Sequence, residues 1–137
     1  MSIACPHALE VALAPRSRSE MVEETRLRLI GSARRAFASK GYAGASMDEL
    51  TAEAGLTRGA LYHNFGGKEG LLRAVIEQID AEMLERMAAV RTRAGSLWEG
   101  FLAQSVTYIE MALEPETQRI MLLDGPAVLG DPSRWPN

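Results

Sequence analysis

The chain has 137 residues, a formal net charge of −3, 47% hydrophobic and 24% charged residues. That is one domain's worth of chain, or a small domain plus part of a second, with an ordinary globular composition that excludes a wholly disordered chain. No apolar run approaches the ~18 residues that span a bilayer, and the single cysteine, Cys5, excludes an internal disulfide or a thiolate cluster.

The N-terminal stretch "MSIACPHALEVALAP" lacks a basic start and is interrupted by Pro6, His7 and Glu10, so it reads as a loose cytoplasmic start and not a signal peptide. Arg16 and Arg18 then precede the first helix, as a flexible charged tail or as a basic arm able to enter a minor groove. Apolar residues at Leu29, Ile30, Ala33, Ala36 and Phe37 recur at helical spacing. That helix starts near Ser19 to Glu23 and ends at "KGY", where Gly41 is expected in the left-handed conformation as a C-cap.

A short second helix follows, opened by the capping box Ser46–Glu49, with Leu50 and Ala54 on its inner face. Gly55 ends it, Leu56 fills the corner and Thr57 caps a third helix that Phe65 and Gly66–Gly67 close. A long fourth helix starts near Lys68 and carries Leu72, Val75, Ile76, Ile79, Met83, Met87 and Val90 at helical spacing until Gly95 breaks it. Ser96 and Glu99 form a capping box for a fifth helix, with Trp98, Phe101, Leu102, Ile109 and Leu113 available for its buried side. Pro115 suits the first position of a sixth helix running through Ile120 to Leu123; "DGPAV" permits one more short helix, and "GDPSRWPN" ends as an irregular tail. The fold class is all-α, without strand-like alternation or an internal repeat.

The charge is not evenly spread. Residues 16–68 hold nine Lys/Arg against six acids, a net +3, while residues 69–137 hold six Arg against eleven acids, a net −5. A basic first half suggests a polyanion-binding module. Two short helices joined by the turn "AGLT", after a longer packing helix, make a helix-turn-helix, whose second helix enters the DNA major groove. Gly59 and Ala60 keep the leading turn thin enough to approach a groove about 12 Å wide. Arg58 offers a fork that fits guanine O6 and N7 or a phosphate, Ala60 a methyl for thymine, and Tyr62 and His63 reach phosphates or base edges one turn later. Leu61 and Phe65 read as core, and Asn64 could face either way.

The segment Thr25 to Val75, "TRLRLIGSARRAFASKGYAGASMDELTAEAGLTRGALYHNFGGKEGLLRAV", resembles the DNA-binding domain of the TetR (tetracycline repressor) family over roughly residues 20 to 80. The resemblance implies a homodimeric, ligand-responsive repressor whose N-terminal heads bind a near-palindromic operator. It implies that Ser46 caps the second helix and touches phosphate, and that Thr57, Arg58, Tyr62 and His63 belong to the recognition helix. It also implies that Lys68 binds phosphate at the start of the fourth helix. Two residues depart from the family pattern: Ala60 stands where a hydroxyl is common, and Gly67 where a Ser, Asn or Asp often caps.

Three parts are expected: an arm over residues 1–18, a DNA-binding domain over 19–67 and a partial effector-binding and dimerisation domain over 68–137. An effector pocket between the fourth to sixth helices would be lined by Met87, Trp98, Phe101, Tyr108 and Met111. The family dimerises through two further long helices, and this sequence stops at Asn137, before such a pair. The apolar faces carrying Met83, Met87, Trp98, Phe101, Ile109, Ile120, Met121, Leu122 and Leu123 are therefore expected to be exposed and to promote self-association. The alternative to a working repressor is a chain that binds DNA weakly and serves as a helical interaction module. No enzyme activity, metal or cofactor is expected: His7 and His63 have no evident catalytic or ligand partners, and no nucleophile motif or Gly-rich phosphate loop appears.

Overall fold

In the computed structural model, residue 15, residues 17–131 and residue 133 are described, and all their regular structure is helical. Arg16, Cys5, His7 and most of the C-terminal tail lie outside the described residues. Helix α1 spans Arg18–Gly44, and it starts where Ser17 and Glu20 form a capping box. The Ser17 hydroxyl accepts from the Glu20 N–H at 3.3 Å, and the Glu20 carboxylate accepts from the Ser17 N–H at 2.8 Å. Leu29, Ile30, Ala33, Ala36 and Phe37 form its buried stripe, and the buried Ser32 hydroxyl donates to the Leu50 carbonyl at 3.0 Å, joining α1 to α2.

Gly41 does not cap α1 in the left-handed helical conformation. It adopts φ 77°, ψ 167°, which kinks the helix and lets one more turn follow before Ala45. The new turn begins with an orphan donor, the Tyr42 N–H, and a carboxylate from far along the chain, Asp124, accepts from it at 2.8 Å. A tertiary contact thus does what a local cap does elsewhere.

Helix α2 (Met47–Ala54) and helix α3 (Arg58–Phe65) follow with the caps expected of them. Gly55 takes the left-handed conformation between them (φ 68°, ψ 32°), and Gly66 does the same after α3 (φ 75°, ψ 0°). Gly67 precedes α4 at φ 133° with no side-chain cap, a backbone angle that excludes the Ser or Asp usual there.

Helix α4 (Lys68–Arg93) is about 39 Å long at 1.5 Å per residue. Its first half buries Leu71, Leu72, Ala74, Val75, Ile76 and Ile79 in the core shared with α1, α2 and α3. Gly70 makes this possible. A Cβ there would overlap the Phe65 carbonyl oxygen, so the end of α3 and the start of α4 touch backbone to backbone.

Helix α5 (Leu97–Ala112) runs back antiparallel along the second half of α4, with Gly100 beside Arg91, Gln104 reaching the Met87 carbonyl at 3.4 Å and Glu114 pairing with Arg86 at 2.7 Å. Ser96 caps α5, but Glu99 does not complete the box with Ser96; its carboxylate accepts from the Gly95 N–H at 2.9 Å. The exposure expected for Trp98, Phe101 and Ile109 holds, and Leu102 and Leu113, assigned to the buried side, are the correction. Trp98, Phe101, Leu102, Ile109 and Leu113 are exposed, and only Gly100 and Met111 of α5 are buried.

The sixth helix is more varied than expected. It opens as α6 (Pro115–Thr117), widens to π-helical geometry over Gln118–Asp124 and closes as α7 (Gly125–Leu129). Ile120, expected to be exposed, is fully buried, and with Leu129 it joins the same core as Phe37 and Leu61, while Leu122 and Leu123 are exposed. The core therefore crosses the boundary drawn at residues 67 and 68.

Candidate nucleic-acid interface

Two short helices joined by three residues, Gly55, Leu56 and Thr57, leave one side of each free. Leu50, Ala54 and Leu61 are buried, and Leu56 and Phe65 pack partly against the same core. That anchorage turns the other side of α3 outward. Arg58, Gly59, Tyr62 and His63 are exposed, and Ala60 is half-buried. Residues four apart share a face, so Arg58 lies over Tyr62 and Gly59 over His63.

Thr57 and Ser46 each do local work that leaves a donor spare. The Thr57 oxygen accepts from the Ala60 N–H at 3.2 Å, and the Ser46 oxygen accepts from the Glu49 N–H at 3.1 Å. Both residues are exposed, and each hydroxyl retains its own hydrogen for a phosphate oxygen. Gly59 needs no special backbone angle, and a Cβ there would meet only the Thr57 Oγ1, at an ordinary 3.7 Å. The fold does not require a glycine at this place.

Arg58 is not a free charge. Its Nε donates to the Asp48 Oδ1 at 2.5 Å, across from the first turn of α2. The hydrogen bond from Arg58 holds the Asp48 carboxyl below the usual carboxylate range, and the carboxylate in turn raises the guanidinium. Lys68 is half-buried at the start of α4 with its Nζ 4.4 Å from the centre of the Tyr42 ring. Burial lowers the Lys68 ammonium from its ordinary value, and the Asp124 charge opposes that shift. His63 and Arg18 line a shallow groove of about 270 Å³ with Met21, Val22, Thr25 and Asn64, which puts the start of α1 beside the end of α3.

Two residues outside the sequence-derived set matter to this surface. Asp48 pairs with Arg58, and its position in the first turn of a helix, ten residues earlier, gives no sign of that in sequence. Arg26 donates to the Asn64 carbonyl at 3.2 Å and lies 4.6 Å over the Phe65 ring, capping α3 from α1. No local spacing links residues 26 and 64.

The residues proposed for an effector pocket divide. Met87, Phe101 and Tyr108 line an open groove of about 340 Å³ between α4 and α5, together with Gln104, Ser105 and Ile109. Trp98 stands outside it, stacked on Phe101 with ring centres 5.9 Å apart, and Met111 is fully buried. A wider depression of about 1080 Å³ between α1 and the end of α2 is lined by the carboxylates of Glu20, Glu23, Glu24 and Glu53 together with Arg28 and Arg35, the last paired with Glu53 at 2.6 Å.

Anchored α2, exposed α3 and the glycine turn between them define a helix-turn-helix DNA-binding head. Residues 29–75 match the family described as bacterial regulatory proteins, tetR family, and residues 98–137 match the tetracyclin repressor-like C-terminal domain. A solved TetR-family transcriptional regulator from Pectobacterium atrosepticum is 57% identical, with a TM-score of 0.75 over 87% of this chain and 62% of that one. The transposon Tn10 TetC protein of Escherichia coli is 28% identical over 111 residues, 81% of this chain and 56% of that protein. The HTH-type transcriptional repressor AcnR of Corynebacterium glutamicum is 41% identical over 61 residues, 44% of this chain and 32% of the repressor. The chain belongs to the TetR family. It spans less than two thirds of the length of each of these relatives.

Proposed function

We infer that the chain is a DNA-binding transcriptional regulator, a repressor that holds a near-palindromic operator through α3 and lets go when a small molecule binds its C-terminal helices. The observation that carries this reading is Gly59, a side-chain-free position on the exposed leading turn of α3 that the protein's own packing does not require. Thr57, Arg58, Ala60, Tyr62 and His63 would meet the groove beside it, with Ser46 and Lys68 on the flanking phosphates. Such a protein works in the cytoplasm as a homodimer on double-stranded DNA. It needs no membrane, no cofactor and no catalytic residue.

The groove holding Met87, Phe101 and Tyr108 is the place where a mostly apolar effector would fit, with Gln104, Ser105 and the Tyr108 hydroxyl for orientation. A second reading is favoured by the exposed apolar row on α5. There the chain is a helical interaction module whose single head binds DNA only non-specifically, with a Kd of about 10⁻⁴–10⁻⁶ M at physiological salt.

A fluorescence-anisotropy titration separates the two. DNA from upstream of the chain's own gene is compared with scrambled DNA at fixed salt, with sedimentation on the same samples. Preference for its own DNA at two protomers per site supports the repressor. Weak and equal binding of both duplexes by a monomer would leave only the second reading standing.

A further inference from the structure

Asp48 stands in the first turn of α2 and Arg58 opens α3, so the helix-turn-helix sets two first turns side by side. The Arg58 Nε donates to Asp48 at 2.5 Å, and both side chains are well exposed, 61% and 73%. Among the described residues, the guanidinium's terminal Nη1 and Nη2 have no hydrogen-bond acceptor. One edge of the fork is therefore held, and the other is offered.

Arginine reads guanine with two parallel donors, directed at O6 and N7. An arginine held at Nε presents only its end-on Nη1/Nη2 pair, and the bond removes rotamers that would turn the fork elsewhere. Resting on the reading that α3 binds DNA, we propose that Asp48 is the positioning residue of this interface, which makes Arg58 a reader of guanine and not a clamp on phosphate. The reason lies in charge. A phosphate draws a cation from any angle in proportion to its net charge, and the Asp48 carboxylate cancels most of what Arg58 carries. The guanine acceptors are uncharged and reward direction, which the pair supplies. Asp48 thus lowers affinity for DNA in general and raises discrimination at one base pair.

The test uses the whole chain as wild type, Asp48→Asn, Arg58→Ala and the double variant. Wild type first selects duplexes from a randomised pool, and single-pair substitutions of the selected duplex are then titrated by anisotropy at several salt concentrations. Arg58→Ala is expected to abolish preference at one G·C pair. At that pair Asp48→Asn reduces preference about tenfold. Its affinity for unrelated duplexes rises, and its log–log salt slope steepens by roughly one phosphate's worth, about 0.9. In the Arg58→Ala background, Asp48→Asn leaves discrimination unchanged.

The proposal is overturned if Asp48→Asn tightens selected and unrelated duplexes by the same factor while preference at the pair survives, since Asp48 is then a repelling charge and nothing more. It is also overturned if Arg58→Ala abolishes preference at no pair. A wild type that selects no sequence from the pool sinks the DNA-reading role itself, a result distinct from both.

Discussion

Arg34 on α1 and Glu116 on α6, 82 positions apart in sequence, meet at 2.6 Å, and the same guanidinium also grips Glu82 and Gln78 on α4 at 2.8 and 3.0 Å. One partly buried side chain thereby ties the DNA-binding head to α4 and α6 at once. Removing it takes from Glu82 and Glu116 the cation they share, and leaves Glu82 only the more distant charge of Arg86.

Arg34→Ala is expected to destabilise the fold by about 2 kcal/mol in urea denaturation at neutral pH. The pH dependence follows from Glu82, whose carboxyl the Arg34 hydrogen bond holds below its ordinary value of 4.5. A depressed folded pKa adds stability that is fully present above the unfolded value and disappears as pH falls through the folded one. Thermal midpoints of wild type and Glu82→Gln should therefore differ at pH 7 and converge as pH falls below 4.5 and through the depressed folded value. Equal midpoints at pH 7 would remove the network from the list of stabilising contacts.

Gly59→Ala separates folding from binding. The added methyl meets only an ordinary contact with Thr57, and alanine is the better helix former, so stability should hold or rise by about 0.5–1 kcal/mol. DNA binding should weaken, because the methyl stands where the groove must approach. A variant that is more stable and binds as well as wild type would remove the argument from the thin leading turn.

Lys68→Ala tests the phosphate contact at the start of α4. Affinity should fall by the same factor on selected and scrambled DNA, and the log–log salt slope should become shallower by about 0.9. A loss confined to one sequence would assign Lys68 a base and not a phosphate.

Gly70→Ala has the opposite sign from Gly59→Ala in the same assay. Its Cβ would collide with the Phe65 backbone, so α3 and α4 must separate, at about 2–3 kcal/mol despite the gain in helix propensity. Chemical denaturation of the two glycine variants side by side checks both signs at once.

The exposed row on α5, with Trp98, Phe101 and Ile109 each at least 58% accessible, should bind a hydrophobic dye and promote self-association. The double substitution Phe101→Ser and Ile109→Ser should reduce dye fluorescence and sedimentation of larger species while the head melts at an unchanged temperature. Undiminished dye binding would locate the sticky surface elsewhere.

Ser46, Thr57, Gly55 and Gly66 were legible because their tasks are local. A cap satisfies a backbone group three residues away, and a left-handed glycine turns the chain where it stands. The burial of Leu29, Phe37, Leu50 and Leu61 followed from period and size. On α5, Trp98, Phe101 and Ile109 are apolar and correctly spaced, and they stand exposed as expected of a face without a covering partner; Leu102 and Leu113, assigned only to the buried side, are exposed too, because spacing marks a face without saying what covers it. The expected cap at Gly41 failed, and the turn that follows it is capped by Asp124 from the far end of the chain, a partner no local spacing reveals.

By itself, then, the sequence determined the all-α class, the start and stop of the recognition helix and the residues on its outward side, because these depend on hydrogen bonds and side-chain directions within about one turn. Tertiary structure alone decided that Asp48 holds Arg58, that Arg34 binds Glu82 and Glu116, and that Ile120 and Leu129 complete the core beneath the head. Those are meetings between residues ten to more than ninety positions apart. Only the packed chain decides which distant charge or apolar surface ends beside which.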